Sequence, residues 1–286
     1  MRSILFLLAT VTVTAPASEK IDQVRGLVRD HQLAAAESAS NALVAANPAD
    51  PAVYALLGSV QIAKEDADAA VAAYEKAAEL APADGDYQRQ LGDAYGFAAQ
   101  KAGMFGKIGY AKKCRVAYEK AVELAPQNLN ARSSLMMFYQ QAPGMMGGGV
   151  DKAYAQAAEI KKLDPARGRL AYASVYTADK KYDQALAEFD EVLKTSPDDY
   201  AALYQVGKLA VLSGQYLDRG LTSLRRCLEL TPPAAPNTPS HAAAHWRIGN
   251  ILEKKGDPAG ARAAYEASLK LDPKFTSAAD SLKKLK

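Results

Sequence analysis

The sequence is poor in the residues that build reactive or cross-linked sites. Its 286 residues include two cysteines, three histidines and one tryptophan. The patterns G-x-S-x-G, H-E-x-x-H and G-x-x-x-x-G-K-[ST], which mark common hydrolase, zinc and phosphate sites, do not occur. His241 and His245 are one helical turn apart, but no carboxylate or cysteine follows closely enough to complete a metal site with them. We therefore predict no catalytic centre, no metal and no cofactor.

An excess of charge of one sign is also missing. The 35 basic and 32 acidic side chains give a formal net charge of +3, without the strongly basic character of a nucleic-acid-binding domain. Hydrophobic residues make up 49% of the chain and charged residues 23%, a composition that predicts an ordinary folded core. We therefore expect a folded protein that does not bind nucleic acid.

The start of the sequence has the pattern of a targeting segment. At the N-terminus, Arg2 precedes an apolar segment at positions 4–13, and Ala15-Pro16-Ala17 has the A-x-A form that signal peptidase cleaves. The segment is shorter than the roughly 20 residues needed to cross a bilayer. We predict that residues 1–17 are a signal peptide cleaved after Ala17. The protein is then expected to be exported, in a bacterium to the periplasm, with no stable membrane insertion; the alternative is an uncleaved anchor.

Residues 51–84 contain the pattern that the remainder of the chain repeats. Asp50 can cap a first helix that begins at Pro51. Two series of residues at helical spacing follow, separated by a polar break at 64–66 and ended by Pro82. Their members are Tyr54, Leu57, Gly58 and Gln61 in the first series, and Ala70, Tyr74, Ala77 and Leu80 in the second. This helix-turn-helix unit of 34 residues resembles the tetratricopeptide repeat.

The same template fits seven times along the chain. The resemblance implies an all-α fold, a right-handed superhelical solenoid of about seven helix pairs that spans residues 18–275, followed by a C-terminal capping helix at 276–286. The predicted repeats lie near 18–50, 51–84, 85–128, 129–165, 166–199, 200–234 and 242–275.

Small residues recur where the two helices of a repeat should meet. Gly58, Gly92, Gly207 and Gly249 are expected to let the first helix approach the second, so that a larger residue there would overpack the pair. Cys114 and Cys227 occupy slots for small buried residues, two or more repeats apart. Because each repeat of a solenoid touches only its neighbours, we predict that both cysteines are reduced and buried.

The third and fourth repeats are longer than the template. The extra residues, Phe97 to Lys113 and Gln141 to Val150, are expected to form glycine-rich loops between the two helices of each repeat. Stacking of the repeats would place both loops on one edge of the solenoid. Their apolar residues predict either a binding patch or two loops that pack on each other. The candidate binding residues on this loop edge are Met104, Phe105, Met145 and Met146.

The resemblance also implies that ligands lie along the concave face, which the first helices line. Trp246 beside Tyr204 would form an aromatic ledge flanked by Lys208 and Asn250, suited to an extended peptide. The alternative is that Trp246 only fills the boundary between repeats. The candidate binding residues in this groove are Arg89, Asp93, Arg167, Tyr204, Lys208, Trp246 and Asn250.

These observations favour an exported, non-catalytic scaffold that binds a protein or peptide through its groove, its loop edge, or both. One alternative is a small-ligand-binding or enzymatic protein that uses a cavity beside the loop edge. Another is an adaptor at a membrane surface, which would depend on Lys283, Lys284 and Lys286.

Overall fold

A computed structural model describes residues 17–234 and 238–285, in two compact units divided between Ser134 and Leu135. Almost all of the predicted signal peptide, residues 1–16, lies outside the described residues. Within the described ranges the chain forms fifteen α-helices and no strand. The prediction of an all-α fold with about seven helix pairs and a C-terminal helix is confirmed.

The first unit contains six helices, and a seventh includes the boundary between the units. The helices are α1 (Ala17–Arg29), α2 (Leu33–Ala46), α3 (Pro51–Ala63), α4 (Ala67–Leu80), α5 (Gly85–Lys101), α6 (Met104–Leu124) and α7 (Leu129–Gln141). The second unit continues with α8 (Val150–Leu163), α9 (Pro165–Ala178), α10 (Tyr182–Thr195), α11 (Tyr200–Ser213), α12 (Leu217–Glu229), α13 (His241–Lys254), α14 (Pro258–Leu271) and α15 (Thr276–Lys284).

Aspartate caps start many of these helices. The Asp50 carboxylate accepts a hydrogen bond from the Ala52 amide at 2.9 Å, and Pro51 is the first helical residue, as predicted. The side-chain oxygen satisfies an amide that has no partner inside the helix. The same arrangement recurs at α4, α5, α9, α11 and α14, which are capped by Asp66, Asp84, Asp164, Asp199 and Asp257.

Close helix contact depends on glycine, as the sequence predicts. A Cβ atom added at any of the four glycines would lie within 3.0 Å of a side chain on the second helix of its repeat. The neighbours of Gly58, Gly92, Gly207 and Gly249 are, in the same order, Tyr74, Tyr118, Leu224 and Tyr265. All four neighbours are buried. In these four helix pairs, the core therefore contains a ring or leucine packed directly on glycine backbone.

The turns inside the second, fifth, sixth and seventh repeats have a residue in the left-handed region at the same place. Gly214 (φ 71°) and Gly256 (φ 77°) occupy this position in two repeats, whereas Glu65 (φ 63°) and Lys180 (φ 59°) occupy it in two others. A side chain makes this conformation costly, whereas glycine adopts it readily. Glu65 and Lys180 therefore carry backbone strain that a glycine would relieve.

We expect Lys180→Gly to stabilise the second unit by about 0.5–1 kcal/mol, because it removes left-handed strain from a non-glycine residue. The measurement is urea unfolding followed by circular dichroism. Lys180→Ala is the matched control: it removes the same ammonium but keeps the Cβ, so no comparable gain is expected. Equal stability of the two variants would contradict the explanation.

Candidate binding groove

A groove in the second unit lies along the first helices of three successive repeats. Its volume is about 490 Å³, and its walls are mostly apolar. Met137 and Leu212 project into it and are about half exposed, at 49% and 53%. The lining residues are Met137, Gln140 and Gln141 of α7, Leu170, Ser174, Thr177 and Ala178 of α9, Phe189 of α10, and Ala201, Gln205, Lys208 and Leu212 of α11.

The helical repeat explains why these residues share one face. Residues three or four apart lie on the same side of a helix, so each helix contributes a short stripe. Met137, Leu170, Ser174, Ala201 and Lys208 stand at the positions that the tetratricopeptide template assigns to the concave face. The other lining residues extend those stripes by about one helical turn: Gln140, Thr177, Gln205 and Leu212 follow three or four residues after a template position.

One charge lies in this apolar surface. Burial lowers the pKa of the Lys208 ammonium, and the nearby Arg247 guanidinium lowers it further. Among the described residues, Lys208 forms no ion pair. A half-buried cation without an acidic partner is costly to the folded protein and attracts an anionic ligand group.

Neutral polar groups also line the groove. The Gln140 amide donates a hydrogen bond to the Ser174 hydroxyl at 3.3 Å, which joins α7 to α9. Gln205 adds a second amide to the lining. Side-chain amides can both donate to and accept from a peptide backbone. The groove therefore combines apolar area, hydrogen-bonding groups and one cation.

The aromatic ledge expected from Tyr204 and Trp246 is not formed, and this prediction is wrong. The Tyr204 ring is only 6% exposed, and its hydroxyl accepts a hydrogen bond from Arg247 Nε at 2.7 Å. The Trp246 indole N–H donates to the Ser281 hydroxyl of α15 at 3.0 Å, and its ring meets Phe275 edge-on. Trp246 thus joins the seventh repeat to the C-terminal helix, which is the alternative that the sequence left open.

Arg247, which the sequence analysis did not select, connects these aromatic residues. Its guanidinium carbon lies 5.2 Å from the centre of the Tyr204 ring and 5.0 Å from that of Trp246. Asn250 donates to the Trp246 carbonyl at 2.7 Å, within its own helix. The adjacency of Arg247 to the single tryptophan was a visible signal, but its contact with Tyr204 crosses between repeats.

Arg89 and Asp93 belong to a polar network in the first unit. Arg89 donates to Asp86 through Nε at 2.9 Å and to Asp93 through Nη1 at 2.6 Å. The Tyr118 hydroxyl donates to the other Asp93 oxygen at 2.7 Å. Burial raises the pKa of Asp93, while the bonds from Tyr118 and Arg89 oppose the rise. These contacts give Arg89 and Asp93 a structural role. Binding of a partner by these two side chains stays a prediction.

Arg167 is exposed and lies outside the groove lining. Its Nε is 3.9 Å from Asp164, whose carboxylate also caps α9 through the Ala166 and Arg167 amides. The long separation and solvent exposure make this ion pair weak. The side chain remains available to a ligand, and its binding role stays a prediction.

The first inserted segment is not a loop, contrary to expectation. It lengthens α5 to Lys101 and starts α6 at Met104, so that only Ala102 and Gly103 lie between the helices. The added turns pack against the preceding repeat, where the Lys101 ammonium meets Glu65 at 2.9 Å and the Tyr110 hydroxyl donates to Asp68 at 3.2 Å. Tertiary contacts of this kind outweigh the low helix propensity of glycine.

The second inserted segment is a short connection around a 3-10 turn at Gly144–Met146. Met145 is 75% exposed, whereas Met146 is partly buried. Gly148 is required sterically, because a Cβ there would overlap the Ala142 carbonyl oxygen. The two insertions belong to different units, so their placement side by side stays a prediction.

Reactive chemistry has little support among the described residues. No group of three or more histidine, cysteine, aspartate or glutamate side chains there could hold a metal ion. Cys114 and Cys227 are buried and free, as predicted, and burial raises the pKa of each thiol to about 12, which keeps both neutral. His241 Nε2 lies 2.9 Å from the Leu230 carbonyl, a structural contact.

None of the described helices is long and apolar enough to span a membrane.

The tetratricopeptide repeat family matches three segments, residues 51–84, 170–235 and 242–275, which lie in both units. The chain is a tetratricopeptide repeat protein. Repeats of this kind build extended concave surfaces from first helices, and such scaffolds commonly bind proteins or peptides. The groove described above occupies that surface in the fourth to sixth repeats.

Known structures share the fold, and the first two described here are of tetratricopeptide repeat proteins. A protein of Parabacteroides merdae is 18% identical, with a TM-score of 0.65 over 93% of this chain and 97% of that one. A thermophilic protein of Thermus thermophilus is 19% identical, with a TM-score of 0.52 over 74% and 100%. The pilF protein of Pseudomonas aeruginosa is 15% identical, with a TM-score of 0.51 over 82% and 97%. No curated protein matches the chain.

Proposed function

We propose that this tetratricopeptide repeat protein is an exported bacterial scaffold, without catalysis of its own, that binds an extended peptide segment of a protein partner. The binding site is the groove formed by α7, α9 and α11. The apolar segment at 4–13 and the A-x-A motif support export. The observation that carries the binding site is the combination of an apolar groove with Lys208, a half-buried cation that forms no ion pair among the described residues.

The groove suits a peptide with apolar side chains and one carboxylate. Met137, Leu170 and Leu212 offer apolar area, and methionine can adapt to several side-chain shapes. Gln140 and Gln205 can bond to the backbone of an extended segment. Lys208 would bind the carboxylate. Arg247 lies close enough to lower the pKa of Lys208, and its charge adds to the positive potential at this place. An anionic group at this place offsets the cost of burying the ammonium.

Selection from a displayed library of random peptides with free C-termini tests the site. We expect enrichment of apolar sequences whose binding depends on a carboxylate, either at the C-terminus or in an aspartate or glutamate side chain. Met137→Glu and Leu212→Glu should each weaken the selected peptides by about tenfold or more, because a charge in the apolar wall must be desolvated on binding. Isothermal titration calorimetry measures this. Both side chains are about half exposed, so the variants are expected to fold.

Met145→Glu is the matched control, since this methionine is exposed in the same unit but does not line the groove. It should leave affinity unchanged. If no peptides are enriched, or if the selected peptides bind Met137→Glu and Leu212→Glu as tightly as the wild type, the proposed site is wrong.

Lys208→Met separates binding from stability. We expect weaker binding of carboxylate-containing peptides, together with unchanged or higher stability, because the variant no longer buries a charge. Folding lowers the Lys208 pKa below its ordinary 10.5, so the cost is fully present at neutral pH and is relieved as pH rises toward that value. Denaturation at pH 7 therefore favours the variant, and this advantage should shrink in alkaline buffer. A variant that is less stable at pH 7 would contradict this account.

A further inference from the structure

The most exposed apolar side chains of the described chain lie at one place, outside the groove. Phe105 is 90% exposed and Met104 is 78% exposed, both in the first turn of α6. We call residues 102–109, which join α5 to α6 and form the first turns of α6, the α5–α6 tip. An exposed aromatic ring and thioether side by side are unusual on a soluble surface and mark a contact site.

The glycines of the tip have no packing explanation. A Cβ added at Gly103 or Gly109 would meet no atom within 4 Å, and one at Gly106 would meet only the Ala102 Cβ, at 3.0 Å. None of the three has a positive φ. Gly106 and Gly109 lie inside α6, where each costs about 1 kcal/mol relative to alanine. The open space at Gly103 and Gly109 shows that no described residue packs on these two glycines.

The segment around the tip carries charge of one sign. Residues 94–118 include five basic side chains and no acidic one. The five are Lys101, Lys107, Lys112, Lys113 and Arg115. Lys107 and Lys112 are exposed and form no ion pair with any described residue. This charge is complementary to an anionic surface.

The base of the tip is held in place. Lys101 pairs with Glu65, Tyr110 donates to Asp68, and Lys113 lies 3.8 Å from Glu75. These contacts engage the nearby carboxylates of the preceding repeat. They leave Met104, Phe105 and Lys107 at the free end, so these three side chains can approach a surface without the helices moving.

We propose that the α5–α6 tip docks on an anionic lipid bilayer. Met104 and Phe105 insert into the boundary between headgroups and acyl chains, while Lys107 and Lys112 contact lipid phosphates. An apolar projection flanked by lysines is suited to a lipid bilayer, because the headgroup surface of the bilayer is anionic and the region beneath it is apolar. This role goes beyond peptide binding by the groove, since the tip belongs to the other unit and shares no residue with it.

Co-sedimentation of the full-length protein with phosphatidylcholine vesicles, with and without phosphatidylglycerol, tests the proposal. We expect binding that requires phosphatidylglycerol and weakens as salt rises. Met104→Ser/Phe105→Ser should lower the partition coefficient at least about tenfold, because two apolar side chains no longer insert. Lys107→Gln/Lys112→Gln should lower binding several-fold and reduce its dependence on salt. Met145→Ser/Leu212→Ser is the control, with two exposed apolar residues outside the tip, and should bind as the wild type does.

A local probe excludes binding through another part of the chain, including residues 1–17. Phe105→Trp introduces an indole at the tip, and its emission, after subtraction of the wild-type signal from Trp246, should shift to shorter wavelength when phosphatidylglycerol vesicles are added. Absence of this shift, or equal vesicle binding by Met104→Ser/Phe105→Ser and the wild type, would overturn the proposal. So would self-association that depends on the tip in the absence of vesicle binding, because the tip would then contact protein.

Discussion

Gly249→Ala is expected to destabilise the second unit by about 1–3 kcal/mol, because the new methyl group overpacks a filled contact. Its Cβ would lie within 3.0 Å of the Tyr265 ring, which is fully buried and whose hydroxyl is bonded to Glu253. The ring therefore cannot turn aside without losing that bond. Urea unfolding monitored by circular dichroism measures the loss.

Gly109→Ala is the matched control for this substitution. It adds the same methyl group to a helix, but no atom lies within 4 Å of the new Cβ, so we expect a gain of up to about 1 kcal/mol from helix propensity. A loss of stability in Gly249→Ala together with a gain in Gly109→Ala would show that packing, and not helix propensity, causes the loss.

A double-mutant cycle identifies the atom group responsible for the loss. In a Tyr265→Ala background the ring is gone, and Gly249→Ala should cost little. If the glycine substitution remains equally costly without the ring, the contact with Tyr265 is not its cause.

Arg89→Met is expected to destabilise the first unit by about 1–2 kcal/mol at neutral pH, because Asp93 loses its cationic partner while it remains partly desolvated. Solvent reaches 40% of the Asp93 side chain, which keeps the loss below that of a fully buried pair. The result would show that Arg89 stabilises the fold whether or not it also binds a partner.

The loss should depend on pH in a defined direction. Folding raises the Asp93 pKa above its ordinary 3.8, so the folded state holds this proton more tightly than the unfolded state, and stability falls as pH rises through that range. Without Arg89 the rise in pKa is larger. The deficit of Arg89→Met relative to the wild type is therefore greatest at pH 7 and shrinks toward pH 4.

Two controls accompany this substitution. Arg89→Lys keeps a cation near Asp93 and should show a smaller loss with a weaker pH dependence. Arg167→Met removes an exposed arginine from another first helix, where the change should stay within about 0.5 kcal/mol. A deficit of Arg89→Met that is the same at pH 4 and pH 7 would contradict the assignment to Asp93.

Short-range patterns in the sequence determined much of this protein. The cap at Asp50, the helix start at Pro51 and the close glycine contacts each depend on spacing within one repeat, and all were predicted correctly. The buried state of Cys114 and Cys227 followed from the same template. These features can be predicted from the sequence because the two helices of each 34-residue unit pack on each other. The residues in contact therefore lie within one repeat.

The tertiary structure decided which of the template positions form a site. Tyr204 and Lys208 are one helical turn apart on α11, yet the tyrosine is buried against Arg247 while the lysine lines the groove. Likewise, the glycines at 103, 106 and 109 favoured a loop, but contacts of Lys101 and Tyr110 with the preceding repeat extend the helices instead. Contacts between repeats depend on the angles at which helix pairs stack, and no local pattern specifies those angles. The sequence alone thus determined the repeats and their internal packing and selected Lys208, Met104 and Phe105 as candidates. Only the structure showed the groove and the tip in which these residues lie.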